Sequence, residues 1–143
     1  MDLHAEAARG LTGIDQRYTS GRRTIVATLA QAGRPLTVPE LIDAADQAIP
    51  ASSAYRNVMV LVDAGVLHRV AGNDDHSRFE LAEPLGDHHH HLICEVCGKV
   101  DDIDAHPQLE RAVHEAADVA AREAGFEVQA HRIDLVGRCR DCH

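Results

Sequence analysis

The segment DHHHHLICEVCGK, residues 87–99, contains four consecutive histidines followed by a C-x-x-C pair. Imidazole nitrogens and thiolates are ligands that zinc and other transition metals prefer. The run is internal, which argues against a purification tag, because tags stand at chain ends. A flexible polar loop and a redox-active cysteine pair are the other interpretations, and the rest of the chain decides between them.

A second C-x-x-C motif, CRDC, supplies Cys139 and Cys142, so the four cysteines form two pairs and none is left over. Two such pairs offer four thiolates, which suit a tetrahedral zinc ion. A redox role is disfavoured because no thioredoxin-like βαβ pattern precedes either motif. The sequence therefore predicts a closed structural zinc site that ties the end of the chain to an earlier strand across a gap of 41 residues. Its ligands are Cys94, Cys97, Cys139 and Cys142.

The histidine run is predicted to contribute to two sites, because successive side chains of a strand point to opposite faces. His88 and His90 then lie on one face, and His89 and His91 lie on the other. Each face needs further ligands. The candidates are His68 and Glu80 in the first half of the chain, and Glu110, His114 and His131 in the second half. A metal that joins His68 and Glu80 to His89 and His91 would bridge the two halves. His4, His76, His106 and His143 are interpreted as surface or packing residues.

The first half of the chain has the element order of a winged helix, which is a helix-turn-helix with a β-hairpin. Apolar spacing predicts three helices, at 20–33, 37–48 and 50–65, followed by strands at 66–70 and 78–82. The residues AGNDDHS form the predicted polar loop between the strands. The predicted N-caps are Ser20, Thr37 and either Ser52 or Ser53, and Glu40 stands where a capping box requires it.

A locally basic surface is predicted on an otherwise acidic chain. The formal net charge is -9, which argues against indiscriminate nucleic-acid binding, but residues 16–39 contain four arginines and no acid. The third helix is the one expected to enter a DNA major groove, and its exposed face is polar. The predicted DNA-contacting residues are Arg17, Arg22, Ser53, Tyr55, Arg56 and Asn57. The alternative is a three-helix packing module with no role in DNA binding.

The second half is predicted to be a small α/β unit. Short strands are expected at 90–94 and 100–104, a long helix at 107–125 and a strand at 126–139. The fold class is therefore α+β, with an N-terminal winged helix-turn-helix domain (1–82), a hinge (83–87) and a C-terminal domain (88–143). No apolar run reaches the roughly 18 residues of a membrane helix, and no secretory signal is visible, so a cytoplasmic location without a membrane partner is expected.

Taken together, these pieces resemble the ferric-uptake-regulator family of metal-sensing repressors, most of all its zinc-uptake branch. The matching segments are AYRN (54–57), AGVLHRV (64–70), FEL (79–81), HHHHLICEVCGKV (88–100), GF (125–126) and GRCRDC (137–142). The resemblance covers nearly the whole chain. It implies a winged-helix domain, a C-terminal dimerisation domain and structural zinc on the two C-x-x-C pairs. It also implies a homodimer that binds a double-stranded DNA operator with an inverted repeat.

The resemblance assigns roles residue by residue. Glu80, His89 and His91 match ligands of a regulatory hinge site, and Tyr55 and Arg56 match the DNA-contacting pair. His88, His90 and His131 match ligands of a further metal site in the C-terminal domain.

The chain departs from the family pattern in three places. Pro35 stands about where iron and peroxide sensors carry a histidine, and no cysteine remains for the hinge site, so His68 is predicted to complete it. The region 104–124 is longer than in the common pattern, which leaves the helix ligand of the further site open between Glu110 and His114.

The predicted function is that of a metal-dependent, homodimeric transcriptional repressor. Zn²⁺ is the predicted structural and regulatory metal, because an all-histidine or histidine and glutamate site suits zinc. Fe²⁺, Mn²⁺ or Ni²⁺ sensing and peroxide sensing are the alternatives within the family. A zinc metalloenzyme is the alternative of another class, but no HExxH-type motif is present. A zinc-storage module without a DNA role is disfavoured by the acid-free segment and the AYRN helix.

Overall fold

In the computed structural model, residues 1–70 and 76–143 are described, and residues 71–75 of the predicted polar loop lie outside the described part. The helices are α1 (Leu3–Thr12), α2 (Ser20–Ala32), α3 (Val38–Ala44), α4 (Ala51–Asp63) and α5 (Pro107–Ala124). The strands are β1 (Leu67–Val70), β2 (Arg78–Leu81), β3 (His89–Cys94), β4 (Val100–Asp104) and β5 (Asp134–Gly137). Short 3-10 helices cover Glu83–Leu85 and Arg140–Cys142. This order confirms the predicted α+β fold class.

The three predicted helices of the first half are α2, α3 and α4, and α1 is an additional helix that was not predicted. Thr37 caps α3 in a capping box with Glu40, as the sequence predicts. The other two caps were wrong. Thr19 rather than Ser20 caps α2, and Pro50 precedes α4 without any side-chain cap. Helix α3 also ends earlier than predicted, at Ala44.

The wing consists of β1 and β2, which pair in an antiparallel manner and bring His68 opposite Glu80. The segment before α3 joins this hairpin, because Leu36 and Phe79 exchange backbone hydrogen bonds of 3.0 and 2.8 Å. Phe79 belongs to the main hydrophobic core, together with Leu11, Ile25, Leu41, Val58 and Leu61. That core packs the four helices against the wing, so the position of Glu80 is set by the buried Phe79 that precedes it and by the partly buried Leu81 that follows it.

The C-terminal sheet has the order β4-β3-β5, with β3 in the centre. Strand β3 pairs antiparallel with β4, where His89 faces Asp104 and His91 faces Asp102, and parallel with β5, where His91 faces Asp134. The strand predicted at 126–139 is mostly wrong, since only Asp134–Gly137 is a strand. The reason is that a strand needs a neighbour for its backbone hydrogen bonds, and β3 pairs with β5 only over residues 134–137.

The C-terminal part carries much exposed apolar surface. Helix α5 has no buried residue among those described, and three of the four residues of β5 are exposed. Large exposed apolar side chains of this part include Leu92, Leu109, Val119, Phe126, Leu135 and Val136. Exposed apolar side chains in such number are typical of a part of the chain that carries an interaction face. Within the described residues, no helix combines the length and the apolar character that a membrane crossing requires.

Candidate metal centres and nucleic-acid interface

The four cysteines meet where the turn after β3 approaches the end of β5. Their sulfur atoms lie within 4.8 Å of one another, and the Sγ atoms of Cys97 and Cys139 are 3.8 Å apart. Sulfurs at the corners of a tetrahedron with Zn–S bonds of about 2.3 Å are about 3.8 Å apart, whereas a disulfide requires about 2.05 Å. The cluster therefore has the dimensions of a closed zinc site and not of a disulfide.

Backbone amides and neighbouring thiols set the charge state of this cluster. The amides of Cys97 and Cys139 donate to the Cys94 sulfur at 3.5 and 3.4 Å, and they lower the pKa of that thiol to about 6. The neighbouring Cys139 sulfur, followed by burial, raises the pKa of Cys142 to about 12. Four thiolates this close repel one another without a cation, and a bound zinc ion keeps such ligands deprotonated.

A second cluster joins the wing to the C-terminal sheet. The Glu80 carboxylate, on β2, accepts hydrogen bonds from His89 Nε2 at 2.8 Å and from His91 Nε2 at 3.0 Å. Asp102 Oδ1, on β4, lies 3.7 and 3.8 Å from the same two nitrogens. Ligand atoms of these four residues all lie within 4.8 Å of one another. Glu80, His89, His91 and Asp102 are called the hinge cluster below.

The electrostatics of the hinge cluster are those of a cation site. Burial opposes ionisation of Glu80, but the hydrogen bonds from His91 and His89 outweigh it and lower the pKa of Glu80. Burial is also the main reason why the pKa of Asp102 is raised. Asp102 Oδ1 is buried and has no hydrogen-bond partner among the described residues. A buried acceptor without a partner is costly, and a cation between the two histidines and the two carboxylates would satisfy it.

A third cluster lies on the opposite face of β3. Glu110, in the first turn of α5, accepts from His88 Nε2 at 3.0 Å, from His131 Nε2 at 2.7 Å and from His90 Nε2. These four residues, called the second cluster below, also have ligand atoms within 4.8 Å of one another. The alternation of the histidine run is thus realised, because His88 and His90 face one cluster while His89 and His91 face the other.

The six predicted DNA-contacting residues divide into three pairs. Tyr55 and Arg56 lie exposed on α4, and Tyr55 is 56% exposed. Arg22 and Asn57 instead bind each other, with Arg22 Nε donating to Asn57 Oδ1 at 3.1 Å. Arg22 also donates to the Arg17 carbonyl at 2.8 Å. These bonds fasten α2 to α4, so the structure gives Arg22 and Asn57 a role in positioning the helix. Arg17 is exposed, and the half-buried Ser53 donates to the Pro50 carbonyl.

The model of the ferric uptake regulator family matches residues 14–136. The chain belongs to this family. Members of the ferric uptake regulator family are metal-binding, DNA-binding transcription repressors and not enzymes. This membership confirms the family predicted from the sequence motifs.

Relatives of several kinds are similar to the chain. The peroxide-responsive repressor PerR of Staphylococcus saprophyticus is 31% identical over 129 residues, which are 88% of this chain and 82% of that protein. A zinc-bound manganese uptake regulator of known structure is 32% identical, with a TM-score of 0.68, over 96% of this chain and 99% of the other. The ferric uptake regulator of Helicobacter pylori shares the fold, with a TM-score of 0.75 at 21% identity, over 98% of this chain and 91% of the other. The zinc-uptake branch predicted from the sequence therefore stays a prediction.

Two predicted ligands are not part of the clusters that this member of the family forms. His68 lies opposite Glu80 and lines the same cavity of about 240 Å³, but it is not among the four converging residues of the hinge cluster. Burial first, and then the nearby Arg132, lower the pKa of His68. His114 is exposed one helical turn beyond Glu110, so Glu110 is the helix residue that the second cluster includes.

Asp102 is the residue that reasoning from the sequence missed. The sequence feature that could have found Asp102 is the hairpin pairing of the two predicted strands on either side of the first C-x-x-C motif. In that pairing Asp102 stands directly opposite His91, and cross-strand partners project to the same face of a sheet.

The histidines assigned to packing have local contacts. His4 Nδ1 lies 2.6 Å from the Tyr18 hydroxyl, and His106 caps α5.

Proposed function

We propose that the chain is a metal-dependent transcriptional repressor whose DNA binding is controlled by a divalent cation in the hinge cluster. One observation carries this proposal: Glu80 belongs to the wing, whereas His89, His91 and Asp102 belong to the C-terminal sheet, and all four converge. A cation held by these residues links the two parts of the chain. It favours the arrangement in which the ligands converge, because only differential affinity shifts a conformational equilibrium.

Zn²⁺ is the first candidate for the regulatory cation. Two imidazole nitrogens and two carboxylate oxygens complete a four-coordinate site, and Zn²⁺ binds such sites more tightly than Mn²⁺ or Fe²⁺. The 32% identical manganese uptake regulator is a zinc-bound protein, which supports the proposal. The second candidate is a peroxide-responsive repressor that uses Fe²⁺ or Mn²⁺. Its support is the second carboxylate, Asp102, which suits harder cations, together with the relative named as peroxide-responsive.

The four-cysteine cluster is proposed to hold structural Zn²⁺, and the second cluster is proposed to be a further metal site. Tyr55 and Arg56 are proposed to contact the operator from α4, with Arg17 and Ser53 nearby. The exposed apolar side chains of α5 and β5 are proposed to form a homodimer interface, since burying them removes apolar surface from water. The homodimer would place two winged helices on an inverted repeat. The domain limits 1–82, 83–87 and 88–143 belong to this proposal.

The test is metal-dependent DNA binding by matched histidine variants. A DNA duplex is selected from a random library with the metal-loaded protein, and its affinity is measured by fluorescence anisotropy with Zn²⁺, Mn²⁺ and Fe²⁺. His89→Ala should abolish the metal response while the dimer and the cysteine-bound zinc persist. His114→Ala is the control, because it removes an exposed histidine of the same domain that joins neither cluster. DNA affinity that is independent of every metal in the parent protein would contradict the proposal.

Hydrogen peroxide separates the two candidates. Fe²⁺ is oxidised by peroxide, whereas Zn²⁺ has no redox chemistry. A peroxide-responsive repressor should bind the duplex when loaded with Fe²⁺ and release the duplex on peroxide treatment. When loaded with Zn²⁺ or Mn²⁺, it should stay bound to the duplex after the same treatment. Binding that is strongest with Zn²⁺ and unaffected by peroxide supports the zinc-responsive repressor.

A further inference from the structure

The short 3-10 helix Glu83–Leu85 connects the wing to the histidine strand and is attached to the first domain. Leu85 is only 8% exposed and belongs to the main core, together with Leu11 and Phe79. The helix packs against α1. Glu83, at its start, is therefore carried by the winged-helix part of the chain even though it lies in the segment predicted to be a hinge.

The Glu83 carboxylate reaches across to the first histidine of the run. His88 Nδ1 lies 2.5 Å from Glu83 Oε1. The opposite nitrogen of the same ring, Nε2, lies 3.0 Å from Glu110 Oε2 and 3.1 Å from His131 Nε2. The His88 ring thus stands between an anchor on the first domain and the ligand atoms of the second cluster.

We propose that Glu83 is a positioning residue through which a cation in the second cluster holds the winged-helix domain. The inference rests on the proposed function, because it assigns a regulatory consequence to that further site. The hinge cluster links the domains directly through Glu80. The second cluster links them indirectly, through the contact between His88 and Glu83.

The chemistry of a ligating histidine supports this role. A neutral imidazole that binds a metal through Nε2 carries its proton on Nδ1, and an acceptor for that proton fixes the ring orientation and raises the basicity of the ligand nitrogen. Glu83 is such an acceptor for His88. It is not itself a ligand of the cluster, because it faces the nitrogen on the far side of the ring.

The same arrangement recurs on the other face of β3. The Asp87 carbonyl accepts from His89 Nδ1 at 2.8 Å, and His89 Nε2 faces the hinge cluster. Residues 83–87 thus provide the outer partner of one histidine in each cluster. Cations on the two faces of β3 therefore hold the same connecting segment, and their effects on the orientation of the DNA-binding domain should reinforce each other.

The experiment measures Zn²⁺ affinity of the second cluster in a His89→Ala background, in which the hinge cluster is disabled and the cysteines are already loaded. Glu83→Ala should weaken Zn²⁺ binding by about 10- to 100-fold, the usual effect of losing an outer partner. Glu83→Gln should stay close to the parent, because the glutamine side-chain oxygen also accepts a hydrogen bond. Glu127→Ala, which removes an exposed carboxylate that belongs to neither cluster, is the matched control.

A second readout tests the link between the domains. In the same His89→Ala background, hydrogen exchange at the amides of Leu85 and Gly86, which donate within the 3-10 helix, should slow on addition of Zn²⁺ when Glu83 is intact and in Glu83→Gln. In Glu83→Ala the slowing should be lost. The thermal unfolding temperature of the protein before Zn²⁺ is added to the second cluster should stay unchanged.

Three results would overturn the inference. The first is that Glu83→Ala has the same Zn²⁺ affinity and the same amide exchange as the chain with Glu83 intact. The others are that Glu83→Ala and Glu127→Ala lose the same Zn²⁺ affinity, or that Glu83→Gln binds Zn²⁺ as weakly as Glu83→Ala. A parent protein whose DNA binding ignores metals would instead contradict the proposed function. The Zn²⁺ affinities would still decide whether Glu83 positions His88, so the two failures are distinguishable.

Discussion

Acidification should weaken cation binding at the hinge cluster steeply, because two histidines must each release a proton. His89 donates to the Asp87 carbonyl and to Glu80, both at 2.8 Å. His91 donates to Glu80 at 3.0 Å and to Asp134 at 3.3 Å. An imidazole that donates from both nitrogens is positively charged. Burial opposes this charge, but the surrounding oxygen acceptors outweigh it and raise the pKa of both histidines.

The magnitude follows from the number of protons displaced. Below the histidine pKa values, each displaced proton lowers the apparent affinity tenfold per pH unit, so two protons give about 100-fold, or about 2.7 kcal/mol, per unit. The dependence should vanish above the raised pKa values. Since an ordinary histidine has a pKa of about 6.5, the steep region should include pH 6.5. Asp102, with its raised pKa, adds to the loss only at more acidic pH.

The assay is competition for Zn²⁺ with a chromophoric chelator between about pH 5.5 and about pH 8, where histidine changes charge. A His131→Ala background removes the second cluster. His89→Ala, which disables the hinge cluster, should remove the Zn²⁺ binding that shows this pH dependence, whereas His114→Ala should leave the limiting slope at two protons. A flat dependence in the parent would refute the reasoning, and a slope of two that persists in His89→Ala would remove His89 from the ligands.

Three further predictions concern the zinc site, the DNA interface and the core. Cys94→Ser should lose about one zinc ion per chain and the folded C-terminal domain, because the free energy of zinc binding contributes to folding. Metal analysis and circular dichroism check this, and a fully folded variant would contradict it. Arg56→Ala should weaken duplex binding and lower its salt slope by about one if the contact is to phosphate, while Arg122→Ala, an exposed arginine of α5, should change neither. The Phe79 side chain is only 1% exposed, and its backbone pairs with Leu36. Phe79→Ala should lower the free energy of unfolding by about 3–5 kcal/mol in denaturant titrations. A loss under about 1 kcal/mol would show that the core repacks around the smaller side chain.

Local patterns predicted the features that depend on neighbours in sequence. The Thr37 capping box involves residues three positions apart, and the wing strands follow from apolar alternation. The division of the histidine run between two faces follows from the two-residue period of a strand. The grouping of the two C-x-x-C pairs into one candidate zinc site could also be predicted without the structure, because four cysteines in two such pairs are the usual ligand set of structural zinc, and the structure brings these four sulfur atoms together.

The sequence alone determined the family, the order of the elements after α1 and most of the ligand types, since these follow from local periodicity and from residue chemistry. Tertiary structure decided the membership of each cluster. Asp102 and Glu110 join because strand register and the approach of α5 bring them there, whereas His68 and His114, which have equally suitable side chains, stay outside. Arg22 is likewise bound to Asn57 on another helix, 35 positions along the chain. A ligand set is defined by distances of a few ångströms between residues far apart in sequence, and only packing fixes such distances.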